Sequence, residues 1–285
     1  MNRVRESTQE KKPTLVLGGT GKTGRRVAKR LTARGLPVRI GSRSGEPRFD
    51  WNDAGTWRSV LQGVGAVYIT YQPDLAVPGA VEAVRSFTKA ALEAGVRRMV
   101  LLSGRGEEEA QRAEQALRDT DADWTIVRAT WFAQNFSEGF LLDAVLSGEV
   151  ALPAGDVGEP FVDVNDIADV AVAALTEDGH VCQLYELTGP RLLTLAQAVE
   201  EIAKAANREI RYAPISMKQF TSRMTEQEVP AEIVWLLTYL LAEVLDGRNA
   251  HLTDGVQRAL GREPRDFSDY ARNAAASGVW EGASK

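Results

Sequence analysis

The chain has 285 residues, of which 44% are hydrophobic and 26% charged, with a formal net charge of −5 at pH 7. This is the composition of an ordinary globular protein, and an acidic chain with no basic stripe argues against a nucleic-acid partner. No segment approaches the ~18 consecutive apolar residues of a membrane helix, so we expect no membrane association. Residues 1–12 are polar and lack the apolar stretch of a signal peptide, which predicts a flexible tail and a cytoplasmic location.

Residues that often carry metal or redox chemistry are scarce. The single cysteine, Cys182, excludes an internal disulfide, and its position beside an apolar strand predicts a small buried side chain. The only two histidines, His180 and His251, have no ligand-spaced partner, so no metal site is predicted. We therefore expect a small-molecule partner, while the composition leaves monomer and homodimer equally open.

A glycine-rich turn near the start is the most informative segment. An aliphatic strand over 14–17 leads into glycines at 18, 21 and 24 and then a helix, and a second strand follows. In this spacing Gly18 turns the backbone, Gly21 allows close approach to a pyrophosphate, and Gly24 permits tight helix packing. We predict dinucleotide binding at the helix start, with a purely structural turn as the alternative. The predicted contacts in this turn are Gly18, Thr20, Gly21, Lys22, Thr23 and Gly24.

Strands and helices alternate over the first 190 residues, as in a parallel sheet with helices on both faces. The predicted strands are 14–17, 38–41, 66–70, 98–103, 124–128 and 183–187. The predicted helices between them are 21–34, 56–61, 80–94 and 107–118. Continuous apolar runs at 66–69 and 100–102 favour the centre of the sheet.

After about residue 190 the pattern becomes helical. The predicted helices are 194–206, 216–224, 230–246, 253–260 and 266–275, with Thr194, Thr253 and Asp266 as N-caps. The prediction is therefore an α/β protein with a doubly wound parallel (Rossmann) sheet. An NAD(P)-binding domain is expected over 13–190, and a smaller, mainly helical lobe over 191–285 is expected to pack on it as the substrate-side wall of a cleft.

The end of the second strand predicts which dinucleotide is bound. An NAD site usually places a carboxylate there, whereas an NADP site offers a cation to the 2′-phosphate. This strand ends in Ser42-Arg43-Ser44, and no carboxylate occurs before Glu46. Arg43, assisted by Ser42 or Ser44, is expected to hold the phosphate, so NADPH is the predicted cofactor. A solvated surface arginine is the alternative.

Other ligand contacts are expected where the strands end, because the carboxyl ends of parallel strands surround the cofactor. This places Thr70 and Ser103 beside the cofactor. Asp50 lies in 49–51, which resembles a turn after a third strand, and it either meets the adenine amine or simply stabilises the turn. The candidates for the substrate pocket are Tyr71, Ser103, Thr130, Trp131 and Phe132. Their aromatic rings suit a flat or cationic ligand, whereas Phe136 is better interpreted as core.

Three segments together carry a family resemblance: the turn at 18–24 followed by Arg43, the strand at 96–103, and residues 123–136. They resemble the NmrA-like branch of the atypical short-chain dehydrogenases/reductases, over nearly the whole chain. Residues 49–51, 131–132 and 261–267 also resemble ergot-alkaloid-type reductases, of the festuclavine and agroclavine dehydrogenase kind. The resemblance implies a Rossmann fold, NAD(P) binding, and either reductase or regulatory activity.

The usual acid of carbonyl-reducing short-chain dehydrogenases, a Tyr-x-x-x-Lys pair, does not occur. None of the six tyrosines is followed four positions later by lysine, and the helix at 107–118, where related reductases keep a lysine, contains none. We therefore expect an NADPH-dependent reductase of an aromatic, quinone-like or imine/iminium-like molecule that accepts hydride without a strong enzymic acid. The alternative is a non-catalytic NAD(P)-binding redox sensor of the NmrA type.

Overall fold

The computed structural model describes residues 11–281, so most of the tail predicted over 1–12 lies outside the described residues. The strands are β1 (Thr14–Leu17), β2 (Val38–Gly41), β3 (Ala66–Ile69), β4 (Arg98–Gly104), β5 (Asp123–Ala129), β6 (Glu149–Leu152), β7 (Gln183–Leu187) and β8 (Arg211–Pro214). The α-helices are α1 (Gly24–Ala33), α2 (Trp57–Leu61), α3 (Ala80–Glu93), α4 (Glu108–Arg118), α5 (Asn135–Glu138), α6 (Leu142–Ser147), α7 (Val164–Thr176), α8 (Leu195–Ala206), α9 (Met217–Glu226), α10 (Ala231–Tyr239), α11 (Gly255–Leu260) and α12 (Phe267–Ala276).

Six of these strands form one parallel sheet in the order β2-β1-β3-β4-β5-β7. The predicted doubly wound Rossmann sheet is confirmed, and β3 and β4 occupy its centre as expected. Helices α2, α3 and α4 cover one face, where Phe87 and Leu117 are buried, and α1 and α7 cover the other, where Leu31 and Val170 are buried. Burial on both faces explains why the central strands are apolar throughout.

The second lobe packs around its own apolar core, which contains Phe136, Val150, Phe220 and Trp280. It includes a feature that was not predicted: β6 pairs in parallel with β8 as a separate two-stranded sheet. A four-residue strand with a partner about 60 positions away leaves little local signal in the sequence. β6 lies before residue 190 in the chain, yet it pairs with β8 and packs into the core of the second lobe. The domain boundary at 190/191 therefore stays a prediction.

Several local predictions were wrong. The 230–246 segment is not one helix, because α10 ends at Tyr239 and a π-helical turn follows over Leu240–Val244. Thr253 is not an N-cap, since its hydroxyl donates to the Glu186 carbonyl and Asp254 occupies the cap position, whereas Thr194 and Asp266 cap α8 and α12 as expected. Helices α5, α6 and α7 were not assigned; α7 is apolar nearly all round, which hides its periodicity.

Two further corrections concern loops. Cys182 is exposed, because it lies in the turn before β7 with a φ of 57°, where its N–H bonds to the Trp124 carbonyl. Residues 49–51 follow β2 in a loop and are not preceded by a third strand, which begins only at Ala66. Within residues 11–281 no helix is long and apolar enough to cross a membrane.

Candidate functional site

The glycine turn between β1 and α1 has the geometry that a phosphate-binding turn requires. Gly18 has a φ of +62°, and a Cβ there would collide with the hydroxyl of Thr70. A Cβ on Gly24 would collide with the Gly18 carbonyl, so α1 packs against the turn only because Gly24 lacks a side chain. Within the described residues, the backbone N–H groups of Thr20, Lys22 and Thr23 donate to no backbone oxygen. Unpaired N–H groups at the start of a helix are what a phosphate-binding turn requires.

A large cavity of about 1040 Å³ extends from this turn along the carboxyl ends of β1, β2 and β3. Its lining includes six predicted cofactor contacts: Gly18, Thr20, Ser42, Arg43, Asp50 and Thr70. The hydroxyl of Thr70 donates to the Leu17 carbonyl at 3.0 Å, which joins β3 to the turn. Gly21, Thr23 and Gly24 line neither this cavity nor the smaller one described below, so their contact with a cofactor stays a prediction.

Arg43 is exposed on the wall of this cavity and forms no ion pair with any described residue. Its neighbour Arg48 instead pairs with Asp50 at 2.7 Å, and Asp50 also accepts a 3.0 Å bond from the backbone N–H of Asn52. Both bonds favour the charged carboxylate, which lowers the pKa of Asp50. Arg43 is therefore available to a phosphate, while Asp50 already stabilises its own turn.

A smaller cavity of about 310 Å³ adjoins the large one. Thr70, Tyr71 and Pro73 line both, so a ligand extending from the turn would pass directly from one to the other. All five predicted pocket residues line the smaller cavity: Tyr71, Ser103, Thr130, Trp131 and Phe132. The structure thus brings together residues from the ends of β3, β4 and β5, as the carboxyl-edge argument predicts.

Aromatic rings form much of this wall. Trp131 packs edge-on against Phe140 with ring centroids 6.4 Å apart, and Tyr71 lies 4.9 Å from Trp51 in the neighbouring cavity. Phe136 is fully buried in the second core, as expected. Phe140 was not predicted, although it follows the recognised 123–136 segment by only a few residues.

Two of the three hydroxyl groups predicted in the pocket, those of Ser103 and Thr130, are already committed as donors. Ser103 donates to Glu114 at 2.6 Å, and Glu114 is held by Arg128 at 2.5 Å. Thr130 donates to Glu159, which also accepts a bond from the Trp131 N–H at 3.3 Å. Burial raises the pKa of Glu159 to about 7. Neither of these two hydroxyl groups can donate to a ligand unless its hydrogen bond to the carboxyl group is broken.

Lys22 extends from the turn into the smaller cavity, where its ammonium group donates to Asn135 Oδ1 at 3.0 Å. A Cβ on Gly139 would lie 2.9 Å from the Lys22 Nζ atom, so α5 and the turn approach closely here. Burial lowers the pKa of Lys22. This lysine therefore joins the phosphate turn to the smaller cavity.

Three charged residues of the smaller cavity were missed: Asp74, Arg105 and Glu107. Asp74 follows β3, and Arg105 and Glu107 follow β4, so the argument that selected Ser103 applies equally to them. Glu107 was instead predicted to begin the helix at 107–118. Apolar residues of the C-terminal lobe complete the wall, namely Leu237, Leu240 and Val244. They belong to α10 and the π-helical turn, which no sequence pattern marks as part of a site.

Together the parallel sheet, the glycine turn and the cavity define a Rossmann-type dinucleotide-binding protein. The family model described as NAD(P)H-binding matches residues 18–178, more than half of the chain. The chain therefore belongs to this NAD(P)H-binding family, and the resemblance to NmrA-like atypical short-chain dehydrogenases/reductases is confirmed.

Three relatives match over nearly the full length. The uncharacterized oxidoreductase YesF of Bacillus subtilis is 31% identical over 280 residues, covering 94% of this chain and 96% of its own. Agroclavine dehydrogenase of Claviceps fusiformis is 32% identical, covering 90% and 95%. NAD(P)H azoreductase of Xenophilus azovorans is 29% identical, covering 92% and 98%. All three are named as oxidoreductases of some kind.

Solved structures with low sequence identity share the fold. Triphenylmethane reductase of Citrobacter sp., complexed with NADP(H), has a TM-score of 0.74 at 20% identity, covering 92% of this chain and 99% of its own. The quinone oxidoreductase QOR2 of Escherichia coli, complexed with NADPH, has a TM-score of 0.71 at 21% identity, covering 91% and 99%. NmrA, a negative transcriptional regulator in complex with NAD, has a TM-score of 0.70 at 17% identity, covering 95% and 98%.

Proposed function

We propose that this protein is an NADPH-dependent reductase that transfers hydride to an aromatic, quinone-like or imine/iminium-like small molecule. The observation that carries the proposal is the junction of the two cavities at Thr70, Tyr71 and Pro73. A sensor needs only the dinucleotide groove, whereas a reductase also needs room for a second molecule at its nicotinamide end. The aromatic-lined cavity of about 310 Å³ supplies that room.

The residues present fit the dinucleotide. The free N–H groups of Thr20, Lys22 and Thr23 suit the pyrophosphate, and Arg43, with no competing ion pair in the described chain, suits a 2′-phosphate. Bound NADPH supplies the hydride. Trp131 and Phe132 hold a flat acceptor against it and exclude water, and such alignment contributes up to roughly 7–11 kcal/mol of barrier reduction in ideal cases.

The activities for which the relatives are named support a reductase of this kind. They include an azoreductase, an agroclavine dehydrogenase, a dye reductase and a quinone oxidoreductase, all of which suggest conjugated or nitrogen-containing substrates. The alternative proposal, a redox sensor without turnover, is favoured by the lack of a Tyr-x-x-x-Lys pair and by the fold shared with NmrA.

Stopped-flow absorbance with NADPH and menadione separates the two proposals. We expect NADPH oxidation that saturates with menadione and that is faster with NADPH than with NADH. Tight NADPH binding with no oxidation by menadione, by a panel of imines or by a cationic dye would contradict the reductase and favour the sensor.

A further inference from the structure

Two acidic side chains that the proposed function does not use meet in the wall of the smaller cavity. Asp74 belongs to the loop after β3, and Glu107 immediately precedes α4. Both residues line the same cavity, and their carboxyl groups lie close enough for each to shift the pKa of the other. The Ala76 N–H donates to Asp74 Oδ1 at 2.9 Å, which fixes the orientation of that side chain.

Glu107 is 7% exposed, and its Oε2 atom accepts no bond from any N–H or O–H donor of residues 11–281. A Cβ on Gly104 would collide with its carboxyl group, so Glu107 rests directly on the backbone at the end of β4. A buried carboxyl group that lacks a donor and lies beside a second carboxyl group favours its neutral, protonated form, because the charged form is poorly solvated and repelled. This geometry favours one proton on the pair at the cavity wall.

The surroundings of Glu107 keep that proton on the pair. Asp74 and Glu114 place negative charge near it, and Tyr239, at the end of α10, lies close enough for Glu107 to raise its pKa. Two cationic residues, Lys22 and Arg105, line the same cavity. Burial, together with the charge of Asp74, raises the pKa of Glu107 well above its usual range.

Arg105 provides an independent indication of a ligand in the same wall. Its Nε donates to Glu186 at 2.6 Å and its Nη1 to the Asn249 carbonyl at 2.8 Å, which fixes the guanidinium. Its Nη2 atom is buried and has no acceptor within residues 11–281. A buried donor without a partner is costly, so this arrangement favours a ligand with a lone pair over a cationic one.

We propose that Glu107, paired with Asp74, donates the proton that accompanies hydride in the reduction of neutral acceptors such as a quinone carbonyl or an imine. This inference rests on the proposed reductase function. Hydride bonds to one end of the conjugated acceptor, and the displaced π pair moves to its oxygen or nitrogen. Glu107 gives its proton to that atom, forming an O–H or N–H bond, and is left as a carboxylate that regains a proton from water through Asp74.

The test compares two acceptors in the wild-type protein and in Glu107→Gln, which keeps the shape of the side chain. Menadione is neutral and takes up a proton after hydride, whereas a cationic triphenylmethane dye needs only the hydride. We expect Glu107→Gln to lower kcat with menadione by at least ~10²-fold, as for loss of a general acid, and to change the dye rate less than about threefold. Glu108→Gln, an exposed neighbour, serves as the matched control and should change neither rate.

A second measurement does not depend on turnover. In ¹³C-carboxyl NMR of the ligand-free protein, a carboxyl group other than that of Glu159 should titrate well above the usual range, and its signal should be missing from Glu107→Gln. The proton-donor role would be overturned if Glu107→Gln lost activity equally with both acceptors, if it reduced menadione as fast as the wild type, or if the titration were absent. It would also be overturned if the wild-type protein reduced the dye but not menadione. If the wild type reduces menadione but not the dye, the pH dependence of kcat with menadione decides, and identical profiles for the wild type and Glu107→Gln would overturn the role. Wild-type protein that reduces neither acceptor would overturn the proposed function itself, and the titration would still report on the pair.

Discussion

The hydroxyl group of Ser103 donates a 2.6 Å hydrogen bond to Oε1 of Glu114, which also accepts a 2.8 Å bond from Nε of Arg128. Ser103 lies at the end of a central strand, where a catalytic hydroxyl would be expected. Its proton is nevertheless held inside the protein by a carboxylate whose charge is already balanced by arginine. Position at the carboxyl edge therefore does not by itself make a side chain a proton donor.

The first prediction follows from this bond. Ser103→Ala and Tyr71→Phe should each lower kcat by less than the ~10²–10⁴-fold typical of a lost general acid. Steady-state kinetics with menadione checks this result. A collapse of several orders of magnitude in Tyr71→Phe would identify tyrosine as the acid and contradict the assignment of Glu107.

The second prediction concerns cofactor choice. Arg43→Ala should weaken NADPH binding by about 1.5–3 kcal/mol, the range for a hydrogen bond to a charged group, and leave NADH binding nearly unchanged. The matched control is Arg48→Ala, because Arg48 lies in the same loop but pairs with Asp50 and does not line the cavity. Fluorescence titration with both cofactors measures the difference. Equal losses for NADPH and NADH would exclude the phosphate role.

The third prediction concerns the glycine turn. Gly21→Val should abolish dinucleotide binding while the protein stays folded, because a branched side chain would block the close approach of the backbone to the pyrophosphate. Within the protein the new Cβ would lie 3.2 Å from the Gly18 carbonyl, a contact that a shift of a few tenths of an ångström relieves. Calorimetric titration with NADPH, together with the melting temperature, distinguishes lost binding from lost folding. Normal affinity in a folded variant would show that phosphate does not bind here.

The fourth prediction concerns the aromatic wall. Trp131→Ala should lower kcat/KM through lost positioning of the acceptor, with little change in NADPH affinity. Trp235→Ala is the control, since Trp235 is 47% exposed and lines neither cavity. Similar losses in both variants would point to a general effect on the fold.

The fifth prediction concerns pH and stability. The pKa of Glu159 is raised by burial from its usual 4.5 to about 7, so the folded protein keeps a proton that the unfolded chain releases. The free energy of unfolding should therefore fall between pH 4.5 and 7, by about 1.4 kcal/mol per pH unit from this group. Glu159→Gln should remove that part of the slope, as measured by urea unfolding at pH 5 and pH 7. Parallel pH profiles for the two proteins would contradict the assignment.

The fold class and the position of the dinucleotide turn could be predicted from the sequence alone. Apolar runs and glycine spacing are local signals, and they predicted the parallel sheet, the turn at Gly18 and the strand-end residues from Thr70 to Trp131. The position and end of each strand depend on residues that are neighbours in the chain. The parallel arrangement of the strands then follows from the alternation of strands and helices.

Tertiary structure decided which side chains can act. Nothing near Ser103 in sequence shows that Glu114 takes its proton, and nothing near Asp74 shows that it meets Glu107 in a buried wall. Likewise, only tertiary packing pairs β6 with β8 and places Leu240 of the π-helical turn in the wall of the smaller cavity. Burial and charge pairing are set by residues far apart in sequence, so donor, acceptor and protonation state appear only when the lobes pack together.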